Sequence, residues 1–297
     1  METPRIWFIT GALSGFGRYL TELVLRNGEI AIATLYDPSA PSGSSALADL
    51  QALYPPDKLL VLNLDVSKPQ QVVDAFVEAQ TTFGRIDVVF NNAGYSMMSE
   101  VEGAPESAAR AMFDVNFWGA ANVSREAIRF FRDVNQPIGG RLLQVSSAGG
   151  IQAYSAIGHY SASKFAIEGL TEALAVELRP EWNIKITLIE LGGFKTNAGQ
   201  NMLRVPTHPA YIDPVTQSHT ARSYLMINPA VPSDPIKGVN AIYRLAGIPN
   251  PPLRLPLGKD ALGMVRKKGE DLIAAAELST SFSEGLEITA DAEQSRL

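Results

Sequence analysis

Ile6-Trp7-Phe8-Ile9-Thr10-Gly11-Ala12-Leu13-Ser14-Gly15-Phe16-Gly17 decides the fold of this chain. Its first five residues are β-branched or aromatic, as suits a buried strand. Glycines follow at 11, 15 and 17, and from Arg18 to Arg26 apolar residues recur at helical spacing. A strand that turns sharply through glycine into a helix is the first half of a βαβ unit. Glycine permits the tight turn and a close approach to the backbone, while the helix N-terminus presents unpaired N–H groups suited to a pyrophosphate. The spacing, Gly-x3-Gly-x-Gly, differs from the common dinucleotide fingerprint Gly-x-Gly-x-x-Gly. Taken by itself it fits a turn needed only for strand–helix packing equally well.

The rhythm continues along the chain. Ile6–Thr10, Glu29–Leu35, Leu59–Asp65, Val88–Asn91, Arg141–Ser146 and Lys185–Glu190 read as short buried strands. Arg18–Arg26, Pro69–Thr82, Glu106–Arg132 and His159–Glu181 read as amphipathic crossover helices. Alternation of this kind predicts an α/β architecture with a doubly wound parallel sheet, the Rossmann fold, in a single domain over residues 1–280. Pro38–Ser45 is a turn-rich loop. Residues 197–235 are largely Pro-punctuated with weak periodicity and follow the last strand that carries chemistry; long segments of this kind are more often functional than accidental, so they are read as a C-terminal substrate lid. Residues 281–297 are read as a polar tail, and no internal repeat is found.

Composition narrows the function. The 297 residues carry a formal charge of -6 and a pI near 5.2, which disfavours a nucleic-acid surface. There is no cysteine, so disulfides, thiolate metal sites and a cysteine nucleophile are excluded. Acids and the histidines at 159, 208 and 219 are not at ligand spacing, so no metal is expected. No apolar run approaches the roughly 20 residues of a membrane span, and the N-terminus lacks the pattern of an export signal. A cytoplasmic location is the resulting expectation.

Chemistry enters at Tyr160-Ser161-Ala162-Ser163-Lys164, where Tyr160 and Lys164 fall one turn apart on the same helix face. A phenol titrates near pH 10, so work as a base near neutrality needs a shift of roughly three units, about 4 kcal/mol. A partly desolvated ammonium at Lys164 would supply part of that by stabilising phenolate. The plainer reading is a core tyrosine beside a lysine reaching to water. Strand 141–146 ends in Ser146-Ser147-Ala148-Gly149-Gly150, where parallel sheets open their ligand crevice. A hydroxyl at Ser147 could hold a substrate oxygen there, and Ser146 is read as loop support. Strand 88–91 ends in Asn91-Asn92-Ala93-Gly94, strand 59–65 ends in Asp65-Val66, and Asn116 is a polar residue in an apolar helical stretch. Turn formation explains the asparagines at 91 and 92 equally well, and a hydrogen-bonded core amide explains Asn116.

Together these residues resemble the short-chain dehydrogenase/reductase family over nearly the whole chain. The resemblance implies a nicotinamide-dependent oxidoreductase interconverting a carbonyl and an alcohol. It implies that Gly11, Leu13, Ser14, Gly15, Phe16 and Gly17 cradle the dinucleotide, that Asp65 and Val66 lie at its adenine, and that Asn92, Ala93 and Gly94 border it. It further implies a catalytic tetrad of Asn116, Ser147, Tyr160 and Lys164, with Tyr160 as acid/base. Lys164 would also bind the nicotinamide ribose and Asn116 would hold a relay water. Gly193 and Thr196 match the segment that meets the nicotinamide. The length and the segment Asn250–Gly258 look like the hydroxysteroid and retinol dehydrogenase-like subgroup, which implies a lipophilic or natural-product-like substrate. Helices 106–132 and 159–181 resemble those through which the family forms homodimers and homotetramers.

Two departures from the family pattern matter. Leu191 stands where the family usually has proline, which restores an N–H and frees φ, so a looser or differently aimed loop is expected. At the end of the second strand, Leu35-Tyr36-Asp37 places no acid at the usual NAD position, so NADP(H) is favoured over NAD(H), with Tyr36 at the 2′ site. These departures leave room for a competing function, a dinucleotide-binding protein of this fold whose redox chemistry is lost or repurposed. His159 should point about 100 degrees away from Tyr160 and is read as a surface histidine. Met97, Met98, Phe194, Met202 and Leu203 are read as a group lining an apolar pocket.

Overall fold

The computed structural model describes residues 3–36, 47–227 and 233–287. Asp37, the loop Pro38–Ser45, residues 228–232 of the expected lid and residues 288–297 of the tail lie outside the described residues. The strands are β1 (Ile6–Ile9), β2 (Ile30–Leu35), β3 (Leu59–Asn63), β4 (Val88–Asn91), β5 (Met97–Met98), β6 (Gly140–Ser147), β7 (Ile184–Leu191), β8 (Leu203–Arg204) and β9 (Arg254–Leu257). Seven of them form one sheet in the order β3-β2-β1-β4-β6-β7-β9, parallel throughout. Strand order reverses between β1 and β4, the point at which a doubly wound sheet opens a crevice at its carboxyl edge.

The helices are α1 (Gly15–Arg26), α2 (Ala48–Leu53), α3 (Pro69–Phe83), α4 (Glu106–Phe113), α5 (Ala120–Asp133), α6 (Gly158–Glu177), α7 (Gln217–Ile227), α8 (Pro235–Leu245) and α9 (Lys259–Ser283). β1 shows why the sheet needs helices on both sides. Trp7 and Ile9 pack into one core with Leu20 and Val24 of α1 and Ile242 of α8. Ile6 and Phe8 point the other way, against Phe76 of α3 and Phe130 of α5. Burying a side chain of this size is worth about 1.5–3 kcal/mol, so a central strand apolar on both faces is stable only when sandwiched.

Several boundaries differ from the sequence expectation. The helix expected over 106–132 is interrupted by a π-helical turn at Asp114–Gly119, where Asn116 turns its amide toward the Tyr95 backbone. π-Turns of this sort often mark functional positions. The helix expected to reach Glu181 stops at Glu177, because Leu178 and Arg179 turn extended before Pro180. The last helix passes the start of the expected tail and ends at Ser283. β9 carries Pro256, which disguises a strand in sequence and confines it to an edge; it lies on the outer side of β7. Among the described residues no helix is long and apolar enough to cross a membrane.

Candidate active site

The carboxyl ends of β1, β4, β6 and β7 converge on a cleft of about 390 Å³. Gly11 and Gly15 take left-handed backbone angles, with φ of 67° and 55°, which L side chains resist. α1 begins with no side-chain cap and no acid in its first turn. Its leading N–H groups and the positive end of its dipole therefore face the cleft, at which Gly11, Ser14, Gly15 and Phe16 stand. Thr10 ties this loop to the neighbouring strand end: its hydroxyl accepts from the backbone N–H of Asn92 at 2.8 Å and of Ala93 at 2.9 Å. Asn92 Nδ2 donates to Thr10 O at 2.9 Å. Asn91 faces the core instead, donating to Ala120 O and Gln144 Oε1, each at 2.8 Å.

The other half of the cleft is built by β6, α6 and β7. Ser147, Tyr160 and Lys164 all line it. Ser147 Oγ accepts from Gly149 N at 3.0 Å, which holds the hydroxyl at the strand's end. Lys164 is buried and donates from Nζ to Val145 O at 3.1 Å. Its Nζ lies 6.0 Å from the Tyr160 ring centroid. Gly94 forms the floor: a Cβ there would sit 2.9 Å from Asn116 Oδ1 and 3.8 Å from Lys164 Nζ. Asn116 lies just beneath, fully engaged, with Oδ1 accepting from Tyr95 N at 3.0 Å and Nδ2 donating to Tyr95 O at 2.8 Å and Ser163 Oγ at 3.1 Å.

Electrostatics opposes an early loss of the proton. Burial pushes the Tyr160 hydroxyl above its ordinary value, with a Ser147 hydrogen bond opposing the rise. Burial also lowers Lys164 to about 8, with the Glu168 carboxylate opposing.

The segment after β7 is also tighter than expected. Gly192 N donates to Leu257 O at 2.9 Å, and Gly193 N donates to Asp260 Oδ2 at 2.6 Å. β9 and Asp260 thus supply the restraint that proline would have given, so the loop is held despite Leu191. Gly193, Phe194 and Thr196 line the cleft. His159 is a further correction. It is half-buried, with a buried Nδ1 that has no partner, and so is not a surface histidine.

Other sequence-predicted residues fall outside the cleft lining. Leu13 and Tyr36 are exposed, and Gly17 serves backbone packing. Asp65 accepts from Ser67 N at 2.9 Å and Ser67 Oγ at 2.7 Å, a local turn, and Val66 packs where a Cβ on Gly119 would fall. The expected apolar group divides: Phe194 and Met202 line the cleft, Met97 and Met98 are core, and Leu203 is exposed. Met97–Met98 pair with Leu203–Arg204 as a short two-stranded sheet, too brief to register as periodicity.

Three groups of charged residues, buried or partly buried, escape the sequence reading. Glu100 receives Arg222 Nε at 2.5 Å, Arg222 Nη2 at 2.7 Å and Ser218 Oγ at 2.5 Å, fastening α7 to the segment after β5. Arg254 bridges Glu168 and Glu190. Asp260 anchors the 192–193 loop. Each joins residues far apart in sequence, and no local spacing reports them.

The sequence profile of the short chain dehydrogenase family matches residues 5–205. The chain belongs to that family. An oxidoreductase of Schizosaccharomyces pombe, itself uncharacterized, is 35% identical over 280 residues, covering 93% of this chain and 90% of its own length. Retinol dehydrogenase 8 of Bos taurus is 31% identical over 262 residues, covering 85% of this chain and 81% of its own. A short-chain dehydrogenase from Streptomyces avermitilis superposes with a TM-score of 0.85 at 30% identity, over 97% of this chain and 100% of that one. A short-chain dehydrogenase of this architecture is an oxidoreductase, and the glycine loop and the Ser147–Tyr160–Lys164 group mark the two ends of its cleft.

Proposed function

We propose that this chain interconverts a carbonyl and an alcohol on a lipophilic, natural-product-like small molecule, using NADP(H) in preference to NAD(H). The observation that carries the reading is the convergence of Ser147, Tyr160 and Lys164 on the same cleft as an uncapped helix N-terminus. When bound in this cleft, a nicotinamide would supply a hydride to the substrate carbon or accept one from it. Tyr160 donates its hydroxyl proton to the carbonyl oxygen, or accepts it in the reverse direction. Ser147 donates a hydrogen bond to the same oxygen and orients it. Lys164 binds the nicotinamide ribose, and its ammonium stabilises the phenolate left on Tyr160. Asn116, on its π-turn, holds the Tyr95 backbone and Ser163 in place and supports the relay water.

Burial of Tyr160 fits a proton donor, since the phenol stays protonated until substrate needs the proton. Gly11, Leu13, Ser14, Gly15, Phe16 and Gly17 hold the pyrophosphate side, Asp65 and Val66 the adenine, Asn92, Ala93 and Gly94 the middle, and Gly193 and Thr196 the carboxamide. Tyr36, exposed just beyond the buried Leu35, takes the 2′ position; the sequence places Leu35 and Tyr36, not an acid, at the usual NAD position, which favours a 2′-phosphate. Phe194, Met202 and Leu225 give the cleft an apolar flank, and residues 197–235 act as its lid. The reading includes one domain over 1–280 with a tail from 281, a cytoplasmic location, and a homodimer or homotetramer through α4–α5 and α6, on which Trp118 and Val176 are exposed.

The test is a spectrophotometric assay of NADPH and NADH oxidation across a panel of steroid, retinoid and polyketide-like ketones. Turnover that favours NADPH and falls at least about a hundredfold in Y160F is the expected result. Tight dinucleotide binding without turnover of any carbonyl would instead establish a non-redox protein of this fold.

A further inference from the structure

Outside the cleft lining lies a buried charge cluster that the proposed reaction does not use. Glu168 follows Lys164 by one turn of α6, on the same face, and both residues are at most 5% exposed. Their stems are adjacent: a Cβ on Gly150 would lie 3.1 Å from Lys164 Cβ and 3.2 Å from Glu168 Cγ. From β9, Arg254 Nη1 donates to Glu168 Oε2 and to Glu190 Oε1 of β7, each at 2.5 Å. Its Nη2 donates to Glu172 Oε1 at 2.7 Å, at the exposed rim of α6. Ser146 of β6 stands beside Glu168.

We propose that Glu168 is a positioning residue for proton transfer in this enzyme: its carboxylate is the buried counter-charge that keeps Lys164 an ammonium, and Arg254 shared with Glu190 fixes it there. The proposal rests on the reading of Tyr160 and Lys164 given above.

Charge balance carries the argument. Among the described groups facing Lys164, Tyr160 and Asn116 bring no negative charge, and the Val145 carbonyl brings only a dipole. Glu168 is the one carboxylate that acts on it. The cluster in turn sets one guanidinium against two fully or nearly buried carboxylates, so a second cation is needed if both are to be ionised. Lys164, buried one turn away on the same face of α6, is placed to supply it. Burial raises Glu168 to about 7, with Ser146 and Arg254 opposing and Glu190 adding to the rise. Burial lowers Lys164 to about 8. Both groups therefore change charge within the working range of an enzyme.

The test reads Lys164 directly, in the full chain labelled with 13C at lysine Cε, with the resonance assigned by K164R. The wild-type side chain should titrate near pH 8. E168Q should move that midpoint down by about one unit, and E168D should restore most of it. E172Q, which removes a carboxylate from the same arginine at the exposed rim, should leave it in place. E190Q gives a second readout: without its neighbour Glu168 ionises more readily, so the inflection that Glu168 ionisation imposes on the Lys164 resonance near pH 7 should move to lower pH. This second variant decides the matter if E168Q does not fold. An unchanged midpoint in folded E168Q, or an inflection near pH 7 that is missing or unmoved in E190Q, overturns the proposal. The readout needs no turnover, so a failed carbonyl panel would sink the redox reading alone; where turnover exists, the alkaline limb of kcat should shift with the Lys164 midpoint.

Discussion

A Cβ on Gly17 would lie 2.2 Å from the carbonyl oxygen of Gly11. The glycine loop closes on itself: the residue that starts the turn touches the first turn of the helix it leads into. Gly17→Ala must therefore push α1 away from β1 or distort the loop. A core overpacked by one methyl typically loses about 1–3 kcal/mol, and here the obstacle is backbone, which yields less than a side chain. Denaturant unfolding should show a loss in that range. Dinucleotide affinity, followed by fluorescence quenching, should fall with it. Gly28→Ala, whose Cβ would meet nothing within 4 Å, should cost only the left-handed strain of about 1–2 kcal/mol and leave affinity intact.

Tyr160→Phe removes the proton donor and keeps the ring. General acid–base catalysis is worth about 10²–10⁴-fold, so kcat should fall by that much while dinucleotide affinity stays within twofold, order of magnitude, because the ring's packing is kept. Ser147→Ala should lose less, about tenfold to a hundredfold, corresponding to one hydrogen bond at about 1.5–3 kcal/mol. Equal losses in kcat and in dinucleotide affinity would show that the variants had disturbed the cleft and not the proton transfer.

What could be read from the sequence was local. The glycine turn, the six core strands and the Tyr160–Lys164 pair each depend on residues within a turn or two of one another, where spacing dictates direction. The missed parts depend on distance. Arg254 reaches Glu168 and Glu190 only because β9 docks beside β7, and Pro256 hid β9. The π-turn that aims Asn116 carries no break in apolar periodicity. Asp260 explains why Leu191 does not loosen its loop, and nothing near Asp260 in sequence points to Gly193. Tyr160 was the subtler case: its spacing to Lys164 is as expected, but spacing reports direction and not burial, and burial decides the sign of the shift.

Asp260→Ala should release the Gly192–Gly193 loop. It removes a charged acceptor 2.6 Å from Gly193 N, an interaction of about 1.5–3 kcal/mol. The loop borders the end of the cleft at Ser147 and Tyr160, so the expected effect is a roughly tenfold weaker dinucleotide affinity with global stability little changed. Hydrogen exchange at residues 192–196 should quicken. Asp260→Asn keeps an acceptor and should recover most of the loss. An affinity unmoved in the alanine variant would mean that β9 alone fixes the loop, through Gly192 N and Leu257 O.

The Glu100–Arg222 pair fastens α7, and its response to acid has a definite sign. Arg222 and Ser218 hold the Glu100 carboxyl at about 2, below its ordinary 4.5. A depressed carboxyl contributes its stabilisation fully above the unfolded value and loses it as pH falls through the folded one. The contribution is therefore complete at neutral pH and drains away between about pH 4.5 and 2. Arg222→Met removes the partner at every pH and leaves Glu100 buried and unpaired, which typically costs about 3–5 kcal/mol. Because Arg222 also donates to Val205 O at 2.9 Å, the cost should appear first as opening of 203–227 and only later as global unfolding. Hydrogen exchange on α7 at pH 7 should accelerate in Arg222→Met while the β1 amides remain protected. Double replacement Glu100→Gln/Arg222→Met should recover part of the loss, since the unpaired charge is gone. Equal exchange of α7 and β1 in the single variant would place this salt bridge in the cooperative core instead of at a latch.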